Sequence, residues 1–221
     1  MAELPQLYVE GKDDLFSLVN LLERHGISFE LGQRKVEFKT TDSVTAMLDN
    51  LCSFVKSARN KKQPVGFVLD ADVDGGTRWT SIKDKLKAEG FEVPDDALAA
   101  SGTILEFPDI RVGFWLMPDN TSLKGKLEDF LKTLIHPDDP LLAPALAYVK
   151  DVKDKVPETS RFPDKDVEKA EISAWLAVQK EPGLPYGTAI GAKFFIAHSE
   201  VADRFVEWFR GLYSLLGEPD E

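Results

Sequence analysis

The segment VLDADVDGG, Val68 to Gly76, sets Asp70, Asp72 and Asp74 at alternate positions directly after an apolar run. Far upstream, the short run Leu7-Tyr8-Val9 ends in Glu10-Gly11. Side chains repeat every second residue in extended chain, so Asp70 and Asp72 are expected to point the same way. Gathered carboxylates are costly: two unit charges about 5 Å apart repel by about 3 kcal/mol at an effective dielectric near 20. A proton, an arginine, water or a divalent cation must offset that repulsion. Mg2+ suits the task, because it prefers oxygen ligands and often takes only one or two carboxylates beside water and phosphate. Gly75 and Gly76 would let a bound group approach the backbone. Taken singly, each stretch also reads as ordinary structure, a strand ending before a helix and a capped Asp-rich turn. The chemistry depends on whether the fold brings Glu10 to the aspartates.

The elements around these residues favour such a meeting. Val65 to Leu69 is apolar on both faces, as in a central strand of a covered parallel sheet. Leu15, Leu18, Val19 and Leu22 recur on one helical face after Glu10. Ile27 to Glu30 and Val36 to Lys39 read as short strands, and a helix is expected from an N-cap at Asp42. Thr77 to Glu89 reads as a helix, Thr103 to Phe107 and Arg111 to Met117 as strands, and Leu123 to Leu134 as another helix. Residues 1–135 therefore alternate strands and helices, as an α/β domain does. Residues 136–221 read as a mainly helical C-terminal extension packed on the same core, with a loop near Pro157 to Pro163 and a further strand at Thr188 to Ile196. In an open parallel sheet the strands' carboxyl ends share one edge, where ligands bind. Glu10, Asp70 and Asp72 fall at such ends.

With 43% hydrophobic and 29% charged residues, the 221-residue chain has the balance of a packed globular protein. No apolar run is long enough to cross a bilayer. The N-terminus lacks the basic start and apolar stretch of a leader, so a cytoplasmic location is expected. A single cysteine, Cys52, excludes an internal disulfide and any cysteine-based zinc site. The net charge of −11 opposes unaided nucleic-acid binding, which needs a basic field. A nucleic-acid substrate then requires a local basic strip, metal ions or a basic partner. Short clusters at Arg59, Lys61, Lys62 and at Lys83, Lys85, Lys87 read as solvated helix faces. His25, His136 and His198 are scattered and show no ligand spacing. Trp79, Trp115, Trp175 and Trp208 read as core or interface anchors, the last two offering a homodimer contact.

LYVEGKDD followed by VLDADVDGG resembles the Toprim domain of topoisomerases, primases, repair proteins and OLD-family nucleases, over roughly residues 5 to 135. MPDN, GKLEDFL and KAEISAWLAVQKEPG are similar to small stand-alone Toprim-like proteins, over most of the chain. The resemblance implies a Rossmann-like, mostly parallel sheet flanked by helices, and a Mg2+- or Mn2+-dependent site acting on phosphodiesters. It gives Glu10 general acid or base work and assigns the metal to Glu10, Asp70 and Asp72, with Asp74 helping through water. Asp14, Asp119 and Glu128 become auxiliary or second-metal candidates. Lys12, Lys165, Lys169 and Lys193 become candidates for phosphate contact. It implies a nuclease, acting as effector with a separate ATPase in a defence or repair system, since the chain has no GxxxxGK[ST] signature. Two other readings stand beside it. A haloacid-dehalogenase-like phosphatase also places DxD after an apolar strand but leaves Glu10 unexplained, and a non-catalytic Toprim scaffold would hold only a partner protein.

Overall fold

The computed structural model describes residues 3–72, 74–94, 98–122 and 124–215. Five strands form one sheet in the order β2-β1-β3-β5-β4: β1 (Gln6–Val9), β2 (Glu37–Thr40), β3 (Val65–Asp70), β4 (Thr103–Phe107) and β5 (Ile110–Met117). β1 pairs in parallel with β2 and β3, β3 in parallel with β5, and only the β4–β5 hairpin is antiparallel. The architecture is thus α/β, a mostly parallel sheet flanked by helices with a helical C-terminal region.

Period-two alternation divides the core between the two faces. Tyr8, Val65, Phe67, Leu69, Val112, Phe114 and Leu116 face α2 (Val44–Lys61) and α3 (Gly75–Ala88). Leu7, Val9, Val68, Trp115 and Met117 face α1 (Lys12–Arg24), α4 (Leu127–Lys132) and the later helices. Those are α5 (Leu142–Lys155), α6 (Val167–Ala177), α7 (Tyr186–Gly191) and α8 (Glu200–Tyr213). All four tryptophans are buried in the chain's own core, Trp175 and Trp208 included, so neither of these offers the dimer contact expected from sequence. Among the described residues no helix is long and apolar enough to cross a membrane.

Several local expectations are corrected. Residues 27–30 form no strand; Phe29 instead packs edge-on against Phe38 at 5.4 Å, so its apolar character serves the core from a loop. Residues 188–196 are not a strand. Their first part belongs to α7, which begins after Pro185 and lies so close to α1 that a Cβ on Gly187 would meet the Phe16 backbone at 2.7 Å. Ser43, not Asp42, caps α2, accepting from Ala46 N–H at 3.1 Å. The expected helix over 123–134 begins only at Leu127, and Leu123 lies outside the described residues. The 157–163 loop carries two short 3-10 turns at its edges, Glu158–Ser160 and Asp164–Asp166.

Gly66 and Gly113 are register partners on β3 and β5. Together they leave a flat patch where α8 lies against the sheet. A Cβ on Gly113 would stand 2.4 Å from Leu212 Cδ2 and 3.0 Å from Trp208 Cζ2. Both side chains are buried and have little room to yield. Gly113→Ala is therefore expected to cost about 1–3 kcal/mol through overpacking. A lowered midpoint in urea at unchanged slope is the expected outcome; an unchanged midpoint would mean that α8 shifts freely.

Candidate active site

The acidic residues meet at the carboxyl edge of the parallel strands. Glu10 follows β1, Asp14 lies in the first turn of α1, Asp70 ends β3, and Glu128 lies in the first turn of α4. A cleft of about 310 Å³ is lined by Glu10, Asp14, Asp70 and Glu128, and also by Lys12 and Lys169. Two helix starts supply donors there. Asp14 Oδ2 accepts from Gly11 N–H at 3.0 Å, and Asp70 Oδ1 accepts from Leu127 N–H at 3.0 Å. These backbone N–H groups are among those a helix leaves unpaired, and they carry its positive end.

Mutual repulsion and burial shift the acids strongly. Burial foremost, then the charges of Asp14, Glu10, Glu128 and Asp72, push Asp70 up to about 8. Burial, with help from Glu10 and Glu128, pushes Asp14 up to about 7 against the pull of the Gly11 N–H. Glu10 is raised by burial and by Asp72, while Arg78, the Val44 N–H and Lys126 pull it down.

Asp72 reaches this cluster by a different route from the expected one. The strand ends at Asp70, and Asp72 has a left-handed backbone with φ 55°. Its backbone pairs both ways with Gly125, N to O at 2.9 Å in each direction, and its carboxylate is held by Arg78. Extended geometry therefore does not continue from Asp70 to Asp72. Asp72 remains a charge neighbour of Glu10 and Asp70, but it lines adjoining clefts rather than theirs.

The remaining candidates divide. Asp74 is the N-cap of α3: its oxygens accept from Thr77 N–H at 2.9 Å and Thr77 O–H at 2.5 Å, which hold the carboxyl below its usual range. Gly75 and Gly76 thus open a helix rather than a loop. Asp119 is enclosed by its own turn, accepting from Ser122 N–H at 2.6 Å and Ser122 O–H at 2.7 Å. Burial would raise it, but these donors together with those of Thr121 outweigh burial and lower it. Lys165 lines the adjoining cleft that holds Asp72, Lys126 and Asp129, and Lys193 is exposed after α7. The basic clusters on α2 and α3 contain cations already paired with acids, Arg59 with Asp109, Lys61 with Glu3 and Lys85 with Asp49.

Sequence reading missed Arg78, Lys126 and Asp42. Arg78 sits two positions beyond the glycine pair and faces back only because the chain turns at Asp72. Lys126, whose Nζ donates to the Lys165 carbonyl at 2.7 Å, bridges α4 to the later helices. Asp42 lines the acidic cleft from the turn before α2 instead of capping that helix.

A family described as a protein of unknown function (DUF3226) matches residues 5–214, which span both the sheet and the C-terminal helices. The chain belongs to this family. Among curated proteins and among solved structures nothing matches. For this DUF3226 member, the acidic cleft and the adjoining cleft of mixed charge therefore rest on their own geometry.

The raised acids set a pH dependence. Asp14 and Asp70 bind protons in the folded state up to about pH 7 and 8, while in the unfolded chain they release them near 4. Over that window the folded state holds more protons, so metal-free stability falls as pH rises from about 4 to about 8. Asp70→Asn keeps an acceptor for Leu127 and removes the titration. Its melting temperature is expected to exceed the parent's at pH 8, with the difference shrinking toward pH 4. A pH-independent difference would disprove the raised acid at this position.

Proposed function

We propose that this chain is a Mg2+- or Mn2+-dependent nuclease of the Toprim type, hydrolysing phosphodiester bonds of nucleic acid. The observation that carries the reading is the convergence of Glu10, Asp14, Asp70 and Glu128 from four elements on the carboxyl edge of the sheet, with Asp72 alongside. The donor set suits a hard cation. It is all oxygen, and burial among neighbouring carboxylates pushes Asp14 and Asp70 up to about 7 and 8. Among the described residues, no three of these carboxylates bring one oxygen each within 4.8 Å of one another. Mg2+ tolerates that spacing, since it often binds one or two carboxylates and keeps several waters.

Glu10 and Asp70 would hold the ion, with Asp72 oriented by Arg78 at its side, and Asp14 and Glu128 would provide for a second. Bound there, the ion supplies charge stabilisation at the phosphate and a more acidic water. Glu10, raised by burial and by Asp72, is suited to exchange a proton with the water that the ion would activate. Lys12 and Lys169 on the cleft lining, and Lys126 and Lys165 on the neighbouring one, are placed to meet phosphate oxygens. The net charge of −11 favours a partnered enzyme, its substrate delivered by a separate ATPase or a basic chain in a defence or repair system.

The test is cleavage of single- and double-stranded DNA and RNA with Mg2+ or Mn2+, beside calorimetric Mn2+ titration. Glu10→Gln and Asp70→Asn are each expected to lower metal-dependent cleavage by about 100-fold or more with the fold intact. Parental rates in both variants would reject the reading. A parent that binds Mn2+ but cuts nothing, and loses binding in Asp70→Asn plus Asp72→Asn, would favour the scaffold. Capture of a phosphoaspartate mimic on Asp70 would favour the phosphatase.

A further inference from the structure

Two of the three histidines expected to be scattered, His25 and His198, meet. His25 caps the C-terminus of α1, His198 directly precedes the N-cap of α8, and Asp203 lies in the first turn of α8. The three residues each offer a ligand atom, and these atoms lie within 4.8 Å of one another. The imidazole centroids are 4.5 Å apart at an interplanar angle of 67°. One nitrogen of each ring already faces an oxygen: His25 Nε2 meets the Ala197 carbonyl at 2.9 Å, and His198 Nδ1 meets Asp203 Oδ1 at 2.8 Å.

A surface His–Asp pair accounts for His198 and Asp203 alone. The second imidazole is held beside that pair by the Ala197 carbonyl, which engages one of its two nitrogens. A shared cation would use all three converging ligand atoms at once. We propose that His25, His198 and Asp203 form a binding site for a divalent metal of the zinc class. Imidazole nitrogen selects Zn2+, Co2+ or Ni2+ over Mg2+, which prefers oxygen. The Ala197 carbonyl on His25 Nε2 fixes that ring's tautomer and orientation and leaves its other nitrogen to ligate. Three protein ligands leave a fourth position for water.

This site lies at the opposite end of α1 from the acidic cleft, about 20 Å away for 13 residues at 1.5 Å each. Its metal would tie the end of the first helix to the start of the last. Binding confined to the folded state raises the melting temperature. With Zn2+ at a hundredfold excess over its Kd, the full chain is expected to gain about 5–10 °C. His198 is largely exposed, so His198→Ala should fold normally. It is expected to abolish most of the Zn2+-dependent gain and weaken Co2+ binding, followed by visible absorption, by at least about tenfold. Asp70→Asn plus Asp72→Asn should keep both, which separates this site from the acidic cleft. No gain in the parent, or an equal gain in His198→Ala, overturns the proposal.

Discussion

Carboxylates brought together under cover need positive charge opposite them, and the edge of the sheet is built around that requirement. Asp70 takes the first free N–H of α4, and Asp14 takes an N–H at the start of α1. Arg78 folds back onto Asp72, and Lys126 lies near enough to lower Glu10. These contacts are incomplete, since Asp14 and Asp70 still sit near neutral pKa values. A purely structural cluster would gain by replacing such acids with neutral residues of the same shape. Residual repulsion at a sheet edge is the kind of local cost that a binding site retains.

The rest of the fold keeps that edge in register. Paired Gly66 and Gly113 admit α8 against the central strands, with Tyr213 O–H donating to the Gln6 carbonyl of β1 at 2.8 Å. Asn120 does similar work beyond β5. Its buried side chain accepts from Leu116 N–H at 2.9 Å and donates to the Ala99 carbonyl at 2.7 Å. The start of the turn after β5 is thereby fixed to that strand's end. The C-terminal helices are part of the same apolar core as α1 and the sheet.

The sheet was legible because its central strands are apolar on both faces and its helices carry clear 3.6-residue stripes. The meeting of Glu10 with Asp70 followed from strand-end topology alone. What escaped was set by backbone turns and by long-range packing. No period-two rule could report the left-handed Asp72, whose conformation sends its carboxylate to Arg78. Thr188 to Ile196 carried enough apolar and β-branched residues to suggest a strand, yet its start and small residues serve a close helix–helix approach. His25 and His198 are remote in sequence, and only the docking of α8 beside the end of α1 brings their rings together.

Charge on the cleft lining constrains any reaction there. Six acids and two lysines line it, so with all ionised it carries four net negative charges. A phosphodiester entering that field would be repelled. Protons on Asp14 and Asp70 reduce the repulsion at neutral pH but also occupy the oxygens a cation needs. On the proposed reading, cation binding and proton release are therefore one coupled event, because ligating carboxylates must be deprotonated. Two divalent ions would neutralise the lining and one would halve its charge. On that reading an acidic chain would act on nucleic acid only with the metal in place, since the metal is what makes its field permissive.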